Sequence, residues 1–178
     1  MFDMQPLLHG ELVRLRPLIK ADYDALYSVA SDPELWKLHP ARDRWQEPIF
    51  RRLFQASLES GGAMVVIDNG SDRIIGSSRY NLSEAGSGRA EIGWSFLSRS
   101  HWGGAWNREV KRLLLAHAFR FVETVYFRVG ETNLRSRRAM EKLGARLADR
   151  TDILTMPDGT PVTHVIYEIS KGEFDAPA

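Results

Sequence analysis

Between residues 90 and 129 the chain changes its periodicity twice, within a span that leaves room for one crossover and nothing more. Residues 90–97 (AEIGWSFL) alternate as a strand, with Ile92, Trp94 and Phe96 on one side and Glu91, Gly93 and Ser95 on the other. After a short turn, Val110, Leu113, Leu114, His117 and Phe121 recur at helical spacing. Residues 125–129 (VYFRV) then read as a second strand. Two strands joined through a helix run parallel, and such a crossover is right-handed. A polar strand face that sets a carboxylate beside a glycine suggests that something approaches the sheet there.

The flanks are built differently. Residues 11–16 alternate Val13 and Leu15 with Arg14 and Arg16 and end at Pro17; a helix over 21–30 carries Tyr23, Leu26, Tyr27 and Ala30. Asp32-Pro33 reads as a break, followed by a loop holding Trp36, His39, Pro40 and Trp45 and a helix over 49–58. Strands over 64–67 and 74–81 enclose the turn Asp68-Asn69-Gly70, and a glycine- and serine-rich loop spans 83–88. Past the crossover, a helix over 135–143 is stopped by Gly144. Strands over 153–156 and 162–169 flank Pro157-Asp158-Gly159-Thr160. Hairpins at both ends of one parallel crossover predict an α+β fold. No repeat or linker divides the 178 residues, so residues 1–178 read as one domain with a disorder-prone tail at 172–178.

Composition narrows the chemistry. There is no cysteine, which excludes disulfides, thiolate catalysis and cysteine-ligated metal. His39, His101 and His164 lack metal-ligand spacing, and His117 reads as a satisfied core histidine. The 24 basic residues against 23 acidic ones give a net charge of +1, without the basic excess of a nucleic-acid binder. No run approaches the ~20 apolar residues of a membrane span, and the start of the chain lacks a signal pattern. The expectation is a cytoplasmic protein with no membrane or nucleic-acid partner.

Two segments can carry chemistry. The turn Trp102-Gly103-Gly104-Ala105-Trp106-Asn107 follows a strand and opens a helix, where N–H groups and the helix dipole favour an anion. Alone, it fits a plain turn as well. The run from Asn133 through Ser136 to Gly144 also follows a strand, with Asn133 placed to cap the helix and Ser136 in its first turn. Alone, it is equally a capped surface helix whose Arg135, Arg137 and Arg138 face solvent.

Together the segments resemble the GNAT superfamily of acetyltransferases, most closely its ribosomal-protein N-terminal acetyltransferase branch. The shared elements are A-E-I-G-W (90–94), the W-G-x-G-x-N-like turn (102–107), E-x-K (109–111), L-L-L-x-H-A-F (113–119), N-x-x-S-x-x-A-x-x-x-L-G-A (133–145) and M-P-D-G (156–159). The resemblance implies a splayed, mostly antiparallel sheet of about seven strands with flanking helices. It also implies acetyl-CoA as cosubstrate without a metal, direct attack in a ternary complex, and a primary amine as acceptor, in a protein N-terminus or a small molecule. Relatives often form homodimers.

By the same resemblance, the main chain around Trp94, Phe96 and Leu97 meets the pantetheine arm. Residues Trp102, Gly103, Gly104, Ala105, Trp106 and Asn107 receive the pyrophosphate, Asn133 helps fix the arm or a phosphate, and Ser136 faces the sulfur. Arg138 and its neighbours are candidates for the 3′-phosphate, while Trp36 and Trp45 lie on the acceptor side. Glu91 is the candidate base, or else a structural carboxylate paired with an arginine such as Arg79. The sequence departs from the family where Q/R-x-x-G-x-G/A would place Trp102, Ala105 and Asn107, and where a tyrosine acid is replaced by Met140. Those departures keep a second reading in view, a non-catalytic acyl-CoA-binding module. A nucleotide-binding protein of another fold fits less well, for want of a P-loop lysine or G-x-G-x-x-G.

Overall fold

The computed structural model describes residues 1–156 and 158–174. Pro157, in the expected closing turn, and most of the expected tail lie outside the described residues. The strands are β1 (Leu8–His9), β2 (Val13–Pro17), β3 (Ala63–Asp68), β4 (Arg73–Asn81), β5 (Arg89–Leu97), β6 (Thr124–Gly130), β7 (Arg146–Thr155) and β8 (Pro161–Ser170). The helices are α1 (Tyr23–Ala30), α2 (Pro33–Trp36), α3 (Glu47–Glu59), α4 (Trp106–Ala118) and α5 (Leu134–Leu143). All eight strands form one sheet in the order β1-β2-β3-β4-β5-β6-β8-β7. Every neighbouring pair is antiparallel except β5 and β6, which the α4 crossover makes parallel.

The two faces of the sheet bury separate cores. Leu114 and Leu115 of α4 and Met140 of α5 pack with Leu15, Val66, Ile92 and Phe127 on one face. Leu26 of α1, Phe50 and Phe54 of α3, and Trp36 of α2 pack with Val65 and Ile67 on the other, where Phe96 joins them. Ile92 and Phe96, two strand positions of like parity, therefore sit on opposite faces. The cause is a bulge. Arg79 pairs with Gly93 and Ser77 with Phe96, so Ser78 alone faces two residues of β5, and Trp94 takes a left-handed φ of 51°. The stripe of Ile92, Trp94 and Phe96 expected from alternation is thus broken at its middle.

Other boundaries shift for local reasons. Asp32-Pro33 starts a helix where a break was expected: the Asp32 carboxylate accepts the Glu34 N–H at 3.0 Å, and Pro33 occupies the first turn of α2. The buried face of α4 is centred on Val110, Lys111, Leu114, Leu115 and Ala118, while Phe121 lies past the helix end and is 38% exposed. Strand β7 begins at Arg146, well before the apolar residues that reveal it, because it is an edge strand with little buried surface.

One carboxylate ties α4 to the start of the sheet. Glu109 accepts the N–H groups of Glu11 (2.9 Å), Leu12 (2.8 Å) and Val13 (2.8 Å), satisfying three donors at once. Gly10 makes room for it, since a Cβ there would fall 2.6 Å from Glu109 Cδ. Glu109→Ala orphans those donors and should cost about 2 kcal/mol of unfolding free energy. Urea denaturation checks this; a variant as stable as the parent would show that water replaces the carboxylate.

Candidate active site

The β5–β6 pairing covers only Arg89–Glu91 against Thr124–Tyr126. Beyond Glu91 the two strands part, and a cleft of about 610 Å³ opens, bounded by the start of α4 and by α5. Three structural decisions meet there: where the ladder stops, where α4 begins, and how α5 is capped.

The turn from Trp102 forms one end. Gly103 carries the left-handed backbone at φ 73°, while Ala105 is right-handed at φ −78°. The alanine that departs from the family pattern is therefore unstrained, because a glycine two residues earlier takes the turn. No side chain caps α4, which leaves its first N–H groups directed at the turn. Trp102, Gly103, Gly104 and Asn107 line the cleft, whereas Ala105 and Trp106 do not. Trp106 instead donates its indole N–H to Asp68 at 3.2 Å.

Helix α5 forms the opposite wall. Buried Asn133 caps it by accepting the Ser136 N–H at 3.3 Å, and this sets Ser136 on the cleft. The arginine run divides. Arg135 and Arg138 line the cleft, Arg135 stacking 3.9 Å from the Trp102 ring centre and donating to the Leu35 carbonyl. Arg137 turns outward to Tyr167 and the Glu131 carbonyl. With Arg108, Lys111 and Lys142 they place five lysine and arginine side chains on the cleft, and among the described residues the lining holds no carboxylate.

Lys111 is the residue that sequence reading missed. It lies on the buried face of α4, 4% exposed, and donates from Nζ to Ser95 Oγ at 2.6 Å. Ser95 shares a hydrogen bond of 2.7 Å with Ser78 Oγ, and the Phe127 ring centre lies 5.4 Å from Nζ. Burial pushes the Lys111 pKa down to about 7. The available signal was a lysine directly after Val110 and at helical spacing from Leu114 and Leu115, on a face that should be apolar.

The remaining expected residues are dispersed. Phe96, Leu97 and Trp36 line the cleft, and Trp36 packs on Phe96 with ring centres 5.1 Å apart. Trp94 sits at the bulge beneath Arg79, whose guanidinium lies 3.4 Å from its ring centre, and Trp45 is 39% exposed; neither lines the cleft. Glu91 does not line it either. That carboxylate is 3% exposed, held by Asn81 Nδ2 at 3.0 Å and Arg128 at 3.4 Å; Arg128, rather than Arg79, is its ion-pair partner. Burial nonetheless raises its pKa. His39 does line the cleft, but Nδ1 accepts the Ala41 N–H at 2.9 Å, while burial and then the Arg44 charge hold its pKa well below the ordinary range. Its acceptor nitrogen is already engaged. His117 hydrogen-bonds the Asp3 carbonyl at 2.7 Å within the core. Among the described residues no group of His, Asp and Glu side chains could hold a metal ion, and no helix is long and apolar enough to cross a membrane.

Comparison with known proteins gives a consistent picture. A family model described as an acetyltransferase (GNAT) domain matches residues 13–146. The uncharacterized N-acetyltransferase p20 of Bacillus licheniformis is 32% identical over 117 residues, which span 63% of this chain and 65% of that protein. A GCN5-related N-acetyltransferase from Brucella melitensis superposes with a TM-score of 0.82 at 18% identity, covering 96% of this chain and 80% of its own. Mycobacterium smegmatis RimJ, solved in complex with CoA-disulfide, superposes with a TM-score of 0.68 at 18% identity, covering 97% and 89%. These two structures share the fold.

The buried lysine has a thermodynamic signature. Folding lowers its proton affinity, so above about pH 7 the unfolded chain binds more protons, and stability rises with pH until the free-lysine value of about 10.4. Lys111→Met removes that slope. The variant should melt above the parent at pH 7, with the gap narrowing towards pH 10. A gap that stays constant over this range would contradict a depressed lysine.

Proposed function

The chain belongs to the GNAT acetyltransferase family, and from that membership we propose that it transfers an acetyl group from acetyl-CoA to a primary amine. The observation that carries the reading is the cleft between the parted strands: it opens at the uncapped start of α4, and its lining is cationic without a carboxylate. Coenzyme A matches that chemistry, with a diphosphate, a 3′-phosphate and a slender neutral arm. The residues fit the group. N–H groups of the 103–107 turn would take the diphosphate, Arg138 with Arg108 or Lys142 the 3′-phosphate, and the main chain of Phe96 and Leu97 the arm. When bound, acetyl-CoA would supply the thioester carbonyl. That RimJ, which shares the fold, was solved in complex with a CoA disulfide supports coenzyme A as the ligand class.

The chain's own groups then have distinct tasks. Main-chain N–H groups left unpaired where β5 leaves β6 would polarise the carbonyl. Ser136, fixed by the Asn133 cap, would donate to the sulfur. Trp36 and Phe96 form an apolar wall that excludes water. Glu91 acts in this reading as a strut at the vertex of the splay, neutralising Arg128. The acceptor is an α-amine, of a protein N-terminus or a small molecule: its pKa of roughly 7.7–8.0 leaves part of it neutral, whereas a lysine at about 10.4 would need a stronger base. The N-terminal acetyltransferase branch is the reading that this acceptor favours.

Acetyl-CoA should raise the melting temperature, by the equivalent of about 2.7 kcal/mol at a hundred times its Kd. Ser136→Ala should lower kcat on the order of ten-fold while changing acetyl-CoA affinity less than about two-fold. Thiol release measured over a panel of α-amines decides between transferase and binding module. Tight acetyl-CoA binding without release on any amine would favour the module, a reading motivated by Met140, which is buried in the core away from the cleft.

A further inference from the structure

We propose that Lys111 is the proton carrier of the acetyl transfer, acting with Ser95 at the point where β5 and β6 part. The inference rests on the transferase reading above and adds the group that reading lacks. The family's tyrosine acid is absent, Met140 is turned into the core, Glu91 is tied to Arg128 and Asn81 outside the cleft, and the acceptor nitrogen of His39 is taken by Ala41. Two lysines line the cleft: Lys142 is exposed, whereas Lys111 is buried at 4% exposure with Nζ 2.6 Å from Ser95 Oγ.

Its surroundings explain why it can do this. The groups that face it are Ser95 from β5, Ser78 behind Ser95 on β4, and the Phe127 ring from β6. The charged side chains sharing its cleft are Arg108 from its own helix and Arg135, Arg138 and Lys142 from α5, with His39 beyond them. Among the described residues no carboxylate stabilises the ammonium; burial lowers its proton affinity, and the amine and ammonium forms are both populated near neutral pH. A purely structural lysine would be paired with a carboxylate or would extend into solvent; Lys111 is 4% exposed and holds only the Ser95 hydroxyl.

The step balances without any outside reactant. The acceptor nitrogen forms a bond to the acetyl carbon as the carbon–sulfur bond breaks. The proton released by the nitrogen passes to Lys111 Nζ, directly or through Ser95 Oγ, and Lys111 returns a proton to the sulfur. The products are an acetamide and coenzyme A thiol, with Lys111 restored to its starting form.

The test uses the full chain, with hydroxylamine and alaninamide as acceptor probes and thiol release as the readout, over pH 6–9. The parent should show a kcat ionisation near the value that burial gives Lys111, about 7. Lys111→Met and Lys111→Arg should both abolish that ionisation and lower kcat on the order of 100-fold. Coenzyme A affinity of Lys111→Arg should change less than about three-fold, because arginine keeps the charge but cannot titrate in this range. NMR of ¹³C-labelled lysines supplies a readout independent of turnover: among the five lysines one signal should titrate far below the rest and vanish in Lys111→Met. If the parent releases thiol and either variant keeps its rate and pH profile, the lysine role is overturned while the transferase reading stands. If all lysines titrate in the ordinary range, the role is overturned as well. A parent that binds coenzyme A but releases no thiol with either probe overturns the transferase reading and the lysine role with it.

Discussion

Three residue pairs hold β5 against β6, and the ladder stops after Glu91 and Tyr126. On the other side of β5, the bulge at Trp94 re-aims the strand, sending Ile92 to one core and Phe96 to the other. Those two departures from regular pairing open a cleft in the middle of an otherwise continuous sheet. The rest of the site depends on them: α4 begins at one end of the opening, α5 closes the far wall, and the space between is large enough for a ligand. Backbone irregularity of this kind costs stability, and it is sustained here by packing on both faces.

The second organising constraint is charge. The cleft gathers side chains of one sign and excludes carboxylates, while acidic residues outside it are used structurally. Glu109 fastens the start of the sheet to α4, Glu91 neutralises Arg128, and Asp68 holds the Trp106 indole. A protein selected for stability alone would not bury Lys111 with a hydroxyl as its hydrogen-bond partner and no carboxylate beside it. A lining of lysine and arginine without a carboxylate among the described residues is consistent with a site whose anionic complement arrives with the ligand.

Much of this was legible from the chain. The parallel crossover followed from the change of period between residues 90 and 129, and the caps of α5 followed from Asn133 and Gly144. Family motifs located the turn and both cleft walls. What the sequence hid was whatever depends on a break in periodicity. Alternation read through Trp94 without registering that a residue pair there opposes a single partner. The apolar stripe of α4 was drawn through Leu113 and Phe121, and this displaced Lys111 from the face it occupies. Strand β7 carries the polar pattern of an edge, and its first apolar residue, Leu147, is 54% exposed and sets up no alternation. Glu91 looked catalytic because a carboxylate on a strand face is conspicuous, but its partners, Asn81 and Arg128, come from two neighbouring strands that only the folded sheet brings together.

The central claim is that the gap between β5 and β6 receives coenzyme A. A crystal structure of the protein with coenzyme A tests it most directly. The account requires the diphosphate on main-chain N–H groups of residues 103–107 and the pantetheine arm between the two strands, with the sulfur close to Ser136 and Lys111. Coenzyme A bound elsewhere, with the cleft closed by side chains or filled only by water, would contradict it.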